Sequence, residues 1–221
     1  MAQFLRPDGV ILTDAGVTVV GAANEAAAVN ETTRTDSTHF KSDDQLNVDV
    51  QLSLSSPGAT PASGTCTVRY THTQADGGVV NSTGGSASTI DFEIVEGGAV
   101  LASSGAINTN EGSWAEGSFT FSTALVTNWA NLEIHAAITG SGGAPANRRG
   151  AAVSWLEVEV PDGASTPATA NGSTVTATAT VIAGTATGDQ AATANGSTVS
   201  ATYTLIAGEA TGGVEAQGVT V

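Results

Sequence analysis

The sequence predicts an all-β protein: an antiparallel, jelly-roll-like β-sandwich followed by a short β-repeat appendage. Three observations carry this expectation. Thr, Ser, Gly, Ala and Val dominate the 221 residues. Apolar residues recur at period two, bounded by Gly, Pro, Asn and Ser, while helical periodicity is scarce. The last 54 residues, 168–221, repeat themselves at a spacing of 24.

Strands are expected near Val10–Val20, Asn47–Ser55, Cys66–Thr73, Ile90–Glu96, Ser118–Thr123, Leu132–Thr139 and Val153–Val160. Asn47–Leu54 is the clearest: Val48, Val50, Leu52 and Leu54 share one face, and Asp49, Gln51 and Ser53 the other. In Val153–Val160 the same alternation sets Val153, Trp155, Glu157 and Glu159 on one face and Leu156, Val158 and Val160 on the other, a strand wetted along part of its length. Asp76-Gly77-Gly78 reads as a hairpin turn, with glycine supplying positive φ, and 141–145 (SGGAP) as a loop. About seven short strands at this spacing suit a two-sheet sandwich, and the Cys…Trp…Cys signature of immunoglobulin domains is missing. The sandwich is expected over 1–161, with a Pro-bounded linker at 162–167.

The repeat opens at Ala168. Residues 168–188 and 192–212 agree at 17 of 21 positions, and Ala216–Val221 (AQGVTV) resembles the start of a third copy, ANGSTV. Near-duplication at a fixed period marks units that bury their apolar face by stacking. Asn171-Gly172 and Asn195-Gly196 are strong hairpin signals. Long strands follow, Thr174–Ile182 and Thr198–Ile206. The first carries Thr174, Thr176, Thr178 and Thr180 on one face and Val175, Ala177, Ala179 and Val181 on the other. In the second, Tyr203 and Leu205 enlarge the apolar face. Faces this thin bury too little to stand alone, so Thr174, Val175, Thr176, Thr178, Thr198, Val199, Tyr203 and Leu205 are candidate assembly residues.

Charge excludes several partners. The chain carries 21 Asp and Glu against 6 Lys and Arg, a net charge of −15. Neither nucleic acid nor an anionic membrane attracts such a surface. No apolar run approaches the ~20 residues of a membrane span, and MAQFLRPDG lacks a charged region followed by an apolar stretch, so no classical secretory signal is expected. The single cysteine, Cys66, reads as a small buried residue.

Motifs of chemistry are sparse. His39, His72 and His135 lie in separate segments with no HxH or HExxH spacing, no GxSxG elbow occurs, and the Gly-rich stretches lack the helix and lysine of a phosphate cradle. Asp43, Asp44 and Asp49 cluster around Asn47 and could hold a calcium ion in a loop, but they lack the twelve-residue grammar of a calcium loop, and a solvated acidic loop is the ordinary reading. No catalytic residue, cofactor or metal is therefore expected. The candidates for ligand binding are Trp114, the best-placed exposed aromatic, and Glu133 with His135, two apart on one strand face. The ordinary alternatives are a tryptophan anchored in the core and a surface hydrogen bond.

Several short motifs carry a resemblance. They are Arg6-Pro7, residues 30–40 (NETTRTDSTHF), 67–70 (TVRY), 90–98 (IDFEIVEGG), 128–134 (NWANLEI) and 148–161 (RRGAAVSWLEVEVP). In this order they resemble a β-sandwich domain recurring in virion proteins of tailed phages and prophages, especially of alphaproteobacteria and marine bacteria. The C-terminal unit is similar to repeats appended to phage surface proteins. Phe40 stands where tyrosine is usual, and a tryptophan expected soon after Arg6-Pro7 is absent. The resemblance implies a non-enzymatic structural protein of the virion, assembled in the host cytoplasm. A capsid decoration or head-fibre protein is the leading expectation, partnered by copies of itself as a trimer or pentamer and by the major capsid protein. The alternative is a tail fibre or receptor-binding protein that recognises host surface carbohydrate; a glycan hydrolase is the weakest reading.

Overall fold

The computed structural model describes the chain apart from residues 1, 43–45, 77–78, 142–146 and 164–167 and, in the repeats, 172–173, 182–185, 188–189, 196–197, 206–209, 212–213 and 219–221; from residue 168 onward only backbone strands are described. In chain order the first unit, Met1–Ala164, contains β1 (Gln3–Leu5), β2 (Pro7–Thr13), β3 (Val17–Val20), α1 (Glu25–Val29), β4 (His39–Ser42), β5 (Asn47–Leu54), β6 (Thr65–Asp76), β7 (Val79–Val80), β8 (Thr89–Glu96), β9 (Ala99–Ser103), β10 (Ile107–Asn108), β11 (Ala115–Ser122), β12 (Leu132–Thr139) and β13 (Gly150–Val160).

Two antiparallel sheets result. The seven-stranded sheet runs β11-β6-β13-β4-β3, with β1 beside β13 and β7 beside β6; the six-stranded sheet runs β10-β8-β12-β5-β2, with β9 beside β8. Together they form the jelly-roll-like sandwich expected. Alternation sets the facing: in β5 and β12 every second residue is buried, and Val48, Val50, Leu52, Leu54, Leu132, Ile134, Ala136 and Ile138 enter one core with Val68, Phe92, Leu156 and Val158. Gly77 and Gly78 lie outside the described residues, but β6 and β7 pair antiparallel around them, Asp76 opposite Val79. Cys66 is fully buried, and burial pushes its thiol up to about 11.

The sheets meet through aromatic rings. Tyr70 of β6 stacks on Phe92 of β8 at 4.3 Å and 24°, an offset pair worth about 0.5–1.5 kcal/mol beyond its buried area. Tyr70 lies opposite Gly117 of β11, and a Cβ at Gly117 would stand 2.4 Å from the tyrosine ring. Only glycine leaves the ring its place.

Four features depart from the sequence reading. Val10–Val20 is two strands in opposite sheets: β2 pairs with β5 and β3 with β4. The chain crosses between them at Asp14-Ala15-Gly16, where Gly16 has φ +97° and the Asp14 carboxylate accepts from the Asp49 backbone N–H at 2.9 Å. In β13 a bulge between Val153 and Trp155 inserts Ser154 and reverses the alternation. Val153 therefore joins the core with Leu156 and Val158 rather than sharing a face with Trp155. Helix α1, five residues capped by Asn24 on Ala27 N–H, is too short for a periodic signal, yet it buries Ala26, Ala28 and Val29. Strand β4 shows no alternation because all four of its residues are buried.

In the second unit, Ser165–Val221, the strands are β14 (Ala168–Asn171), β15 (Thr174–Val181), β16 (Ala186–Thr187), β17 (Gln190–Asn195), β18 (Thr198–Leu205), β19 (Ala210–Thr211) and β20 (Val214–Gly218). All pairs are parallel and every register is offset by 24: Thr174 opposite Thr198, Ala168 opposite Ala192, Ala186 opposite Ala210. Each of the two full copies gives one strand to each of three parallel sheets, and the third adds β20 to the first, the arrangement of a β-solenoid. Gly172 and Gly196, where hairpins are expected, lie outside the described residues, but the strands on either side of the first do not pair: Asn171 ends β14 in one sheet and Thr174 begins β15 in another. The third copy also sits differently. Likeness of AQGVTV to ANGSTV sets Ala216 opposite Ala194, but the ladder keeps its offset and places Gly218 there.

Gly117→Ala is expected to destabilise the sandwich by about 1–3 kcal/mol through overpacking against Tyr70, seen as a lower urea midpoint at unchanged m-value; an unaltered midpoint contradicts the close approach. In the repeats, inserting a further copy of residues 192–215 before Ala192 keeps the offset of 24, whereas inserting only residues 192–203 there breaks it. The first variant is expected to retain protease resistance in this unit and the second to lose it.

Candidate functional site

The outer face of the six-stranded sheet holds the pair expected from sequence. Strand β12 runs between β8 and β5, so Glu133 and His135, two apart, stand on the same outward face. The His135 Nε2 lies 3.0 Å from Glu133 Oε2. His135 is flanked by Glu93 and Gln51, and Glu133 by Val95 and Ser53. None of the six strands carries Lys or Arg. Neighbouring hydroxyls and amides serve the carboxylates instead: Ser53 donates to Asp8 at 2.6 Å, Gln51 to Asp49 at 2.6 Å and Ser103 to Asp91 at 2.7 Å. Among the described residues no group of three or more His, Cys, Asp or Glu is placed to hold a metal ion; Asp43 and Asp44 lie outside them.

Trp114 belongs to the other sheet. It precedes β11 and packs, half-buried, against the His39 ring at 5.6 Å and 59°. It is a cover over β4, not a free platform, and the structure does not bring it together with Glu133 and His135.

A denser set of charged and polar groups occupies the outer face of the seven-stranded sheet. Glu157, 5% exposed, lies between two arginines: Arg6 donates to it and Arg69 Nη1 stands 3.7 Å away, while Arg69 Nη2 donates to Glu159. Arg34 grips Asp36 through two nitrogens, at 2.9 and 2.7 Å, and Glu116 at 2.6 Å. Ser154, the bulge residue, donates to Asp36 at 2.9 Å, and the Trp155 indole N–H donates to the Glu31 carbonyl at 3.0 Å. Burial pushes the Asp36 carboxyl up, but the bonds from Arg34 and Ser154 outweigh it and hold the group below its ordinary value. The Asp36 bond raises Arg34 in turn. Segment 31–38 is thereby fastened over β13. Sequence reasoning saw the wetted face of Trp155, Glu157 and Glu159 but not its partners, which come from residues up to 151 positions away.

The assembly candidates are aligned by the ladder: Thr174 opposite Thr198, Val175 opposite Val199, Thr176 opposite Ser200, Thr178 opposite Thr202, Ala179 opposite Tyr203 and Val181 opposite Leu205. Their side chains lie outside what the structure describes.

No protein-family model matches the chain, and no curated protein matches it. Among solved structures it is similar to TmCBM61 in complex with beta-1,4-galactotriose, at 12% identity and TM-score 0.39 over 70% of this chain and 86% of that one. It is similar to the CBM22-1 xylan-binding domain of Paenibacillus barcinonensis Xyn10C, at 10% identity and TM-score 0.41 over 72% of this chain and 94% of that one. A third likeness is to the enzymatically active domain of bacteriophage CBA120 tailspike protein 4, at 12% identity and TM-score 0.37, covering 71% of this chain and 19% of that one. Likeness at this level says nothing of ligand or activity.

Burial lowers His39 and His72 from the usual 6.5. The unfolded chain takes up their protons near 6.5 and the folded chain only at lower pH, so stability is full above that value and falls as pH drops through it. Urea midpoints measured from about pH 7.5 down to 5.5 are expected to decline, and the decline is expected to shrink in the His39→Gln/His72→Gln double variant.

Proposed function

We propose that this chain is a non-enzymatic structural protein of the outer surface of a tailed-phage particle, a sandwich carried with a stackable β-repeat, seated on the head shell as a decoration or head-fibre protein. The observation that carries the reading is the unbroken 24-residue offset of the parallel ladders. A solenoid of near-identical rungs supplies length and a surface for contact between copies, and each unit gains stability from its neighbours. The ordered motifs from Arg6-Pro7 to 148–161, which resemble phage virion domains, support the placement. The net charge of −15 supports it too, since a protein on the outside of a shell meets no attraction to the packaged nucleic acid.

The second reading, a tail fibre or receptor-binding protein for host carbohydrate, is favoured by the polar side chains displayed on both outer faces. Gold-labelled antibody against residues 1–161, applied to intact particles, separates the two. Label spread around the head is expected. Label confined to the tail end moves the assignment to the second reading, and particles without label overturn both.

A further inference from the structure

On the outer face of the seven-stranded sheet a depression of about 260 Å³ lies between β11, β6 and β13, lined by Arg69, Tyr70, Glu116, Gly117, Ser118 and Trp155. We propose that this depression binds a neutral saccharide. The inference goes beyond the structural reading above and does not depend on where the protein sits in the particle.

The residues supply what a sugar ring needs. A pyranose offers an apolar C–H face and a rim of hydroxyls, so a matching site pairs one aromatic wall with a few fixed donors and acceptors. Trp155 is the wall. It is partly exposed, and its indole N–H is already held by the Glu31 carbonyl at 3.0 Å, so its orientation is set before any ligand arrives. The polar groups stand in two neighbouring rows. Ser118, Arg69 and Glu157 are register partners across β11, β6 and β13, as are Glu116, Thr71 and Trp155. The Glu116 and Arg69 side chains are 65% and 38% exposed, hence reachable. Arg34 bonds one Glu116 oxygen, leaving the other open as an acceptor; the Ser118 hydroxyl has no partner among the described residues. Carboxylate, guanidinium and hydroxyl can each bridge adjacent sugar hydroxyls. Thr71, in the row between Glu116 and Trp155, is fully buried with its hydroxyl unpartnered.

Charge selects the class of ligand. Each arginine here already faces carboxylates, Arg69 with Glu157 and Glu159 and Arg34 with Asp36 and Glu116. An anionic sugar finds no spare cation, and the net charge of −15 repels it from a distance. A neutral polyol meets neither penalty. The volume lies just below the usual ~300–1,000 Å³ of ligand sites, so the ligand it takes is small.

The test is an array of immobilised neutral oligosaccharides (glucans, galactans, mannans and N-acetylglucosamine oligomers) probed with the full chain, followed by titration calorimetry on the strongest hit. Binding to at least one is expected. Trp155→Ala is expected to weaken it about tenfold or more, and Glu116→Ala with Ser118→Ala, both exposed positions that leave the fold intact, by a similar factor. Should Trp155→Ala fail to fold, the double variant carries the test. No binding anywhere on the array overturns the proposal. So does binding that survives these substitutions, or that is lost on His135→Ala instead.

Discussion

Tyr70 stacked on Phe92 joins the two sheets across the core, and Gly117 of the neighbouring strand leaves the ring its place. The ring enters from the seven-stranded sheet and reaches a phenylalanine of the other, so both sheets lose freedom to slide through one contact. Its cost falls on the neighbouring strand, where position 117 cannot bear a side chain.

The same sheet carries a second constraint. Its outer face is covered rather than bare: segment 31–38 lies across it, tied by Arg34, Asp36, Ser154 and Trp155, and Trp114 closes over His39. These contacts join residues far apart in sequence, so the cover forms only when the sheet beneath it has formed. The bulge at Ser154 is part of this design. The extra residue turns a hydroxyl towards Asp36 while restoring Val153 to the core.

How much of this was legible in the sequence follows from how strands are buried. β5 and β12 each bury one face, so their alternation was plain and their bounds agree with it to within a residue. β4 is covered on both sides; His39, Phe40, Lys41 and Ser42 carry no alternating signal to read. The break at Asp14–Gly16 was hidden because the residues on either side are alike in β-propensity, and only the pairing partners differ. For the site, Glu133 and His135 were found because two residues apart on a strand means one face. The setting of Trp155 was not, since Glu31, Arg69 and Glu116 arrive by topology. In the appendage the 24-residue period was legible and its meaning misread. Asn-Gly favours a tight antiparallel turn locally, but mostly identical residues stacked on one another satisfy three parallel ladders at once.

The distribution of cations gives the sandwich an electrical orientation. Arg6, Lys41, Arg69 and Arg149 lie in or bond to strands of one sheet, while the strands of the other carry carboxylates and no Lys or Arg. Two molecules approaching with their six-stranded sheets face to face therefore repel, whereas turning one of them over replaces repulsion with near-neutral contact. Within a Debye length of ~10 Å at 0.1 M salt this bias acts on every encounter.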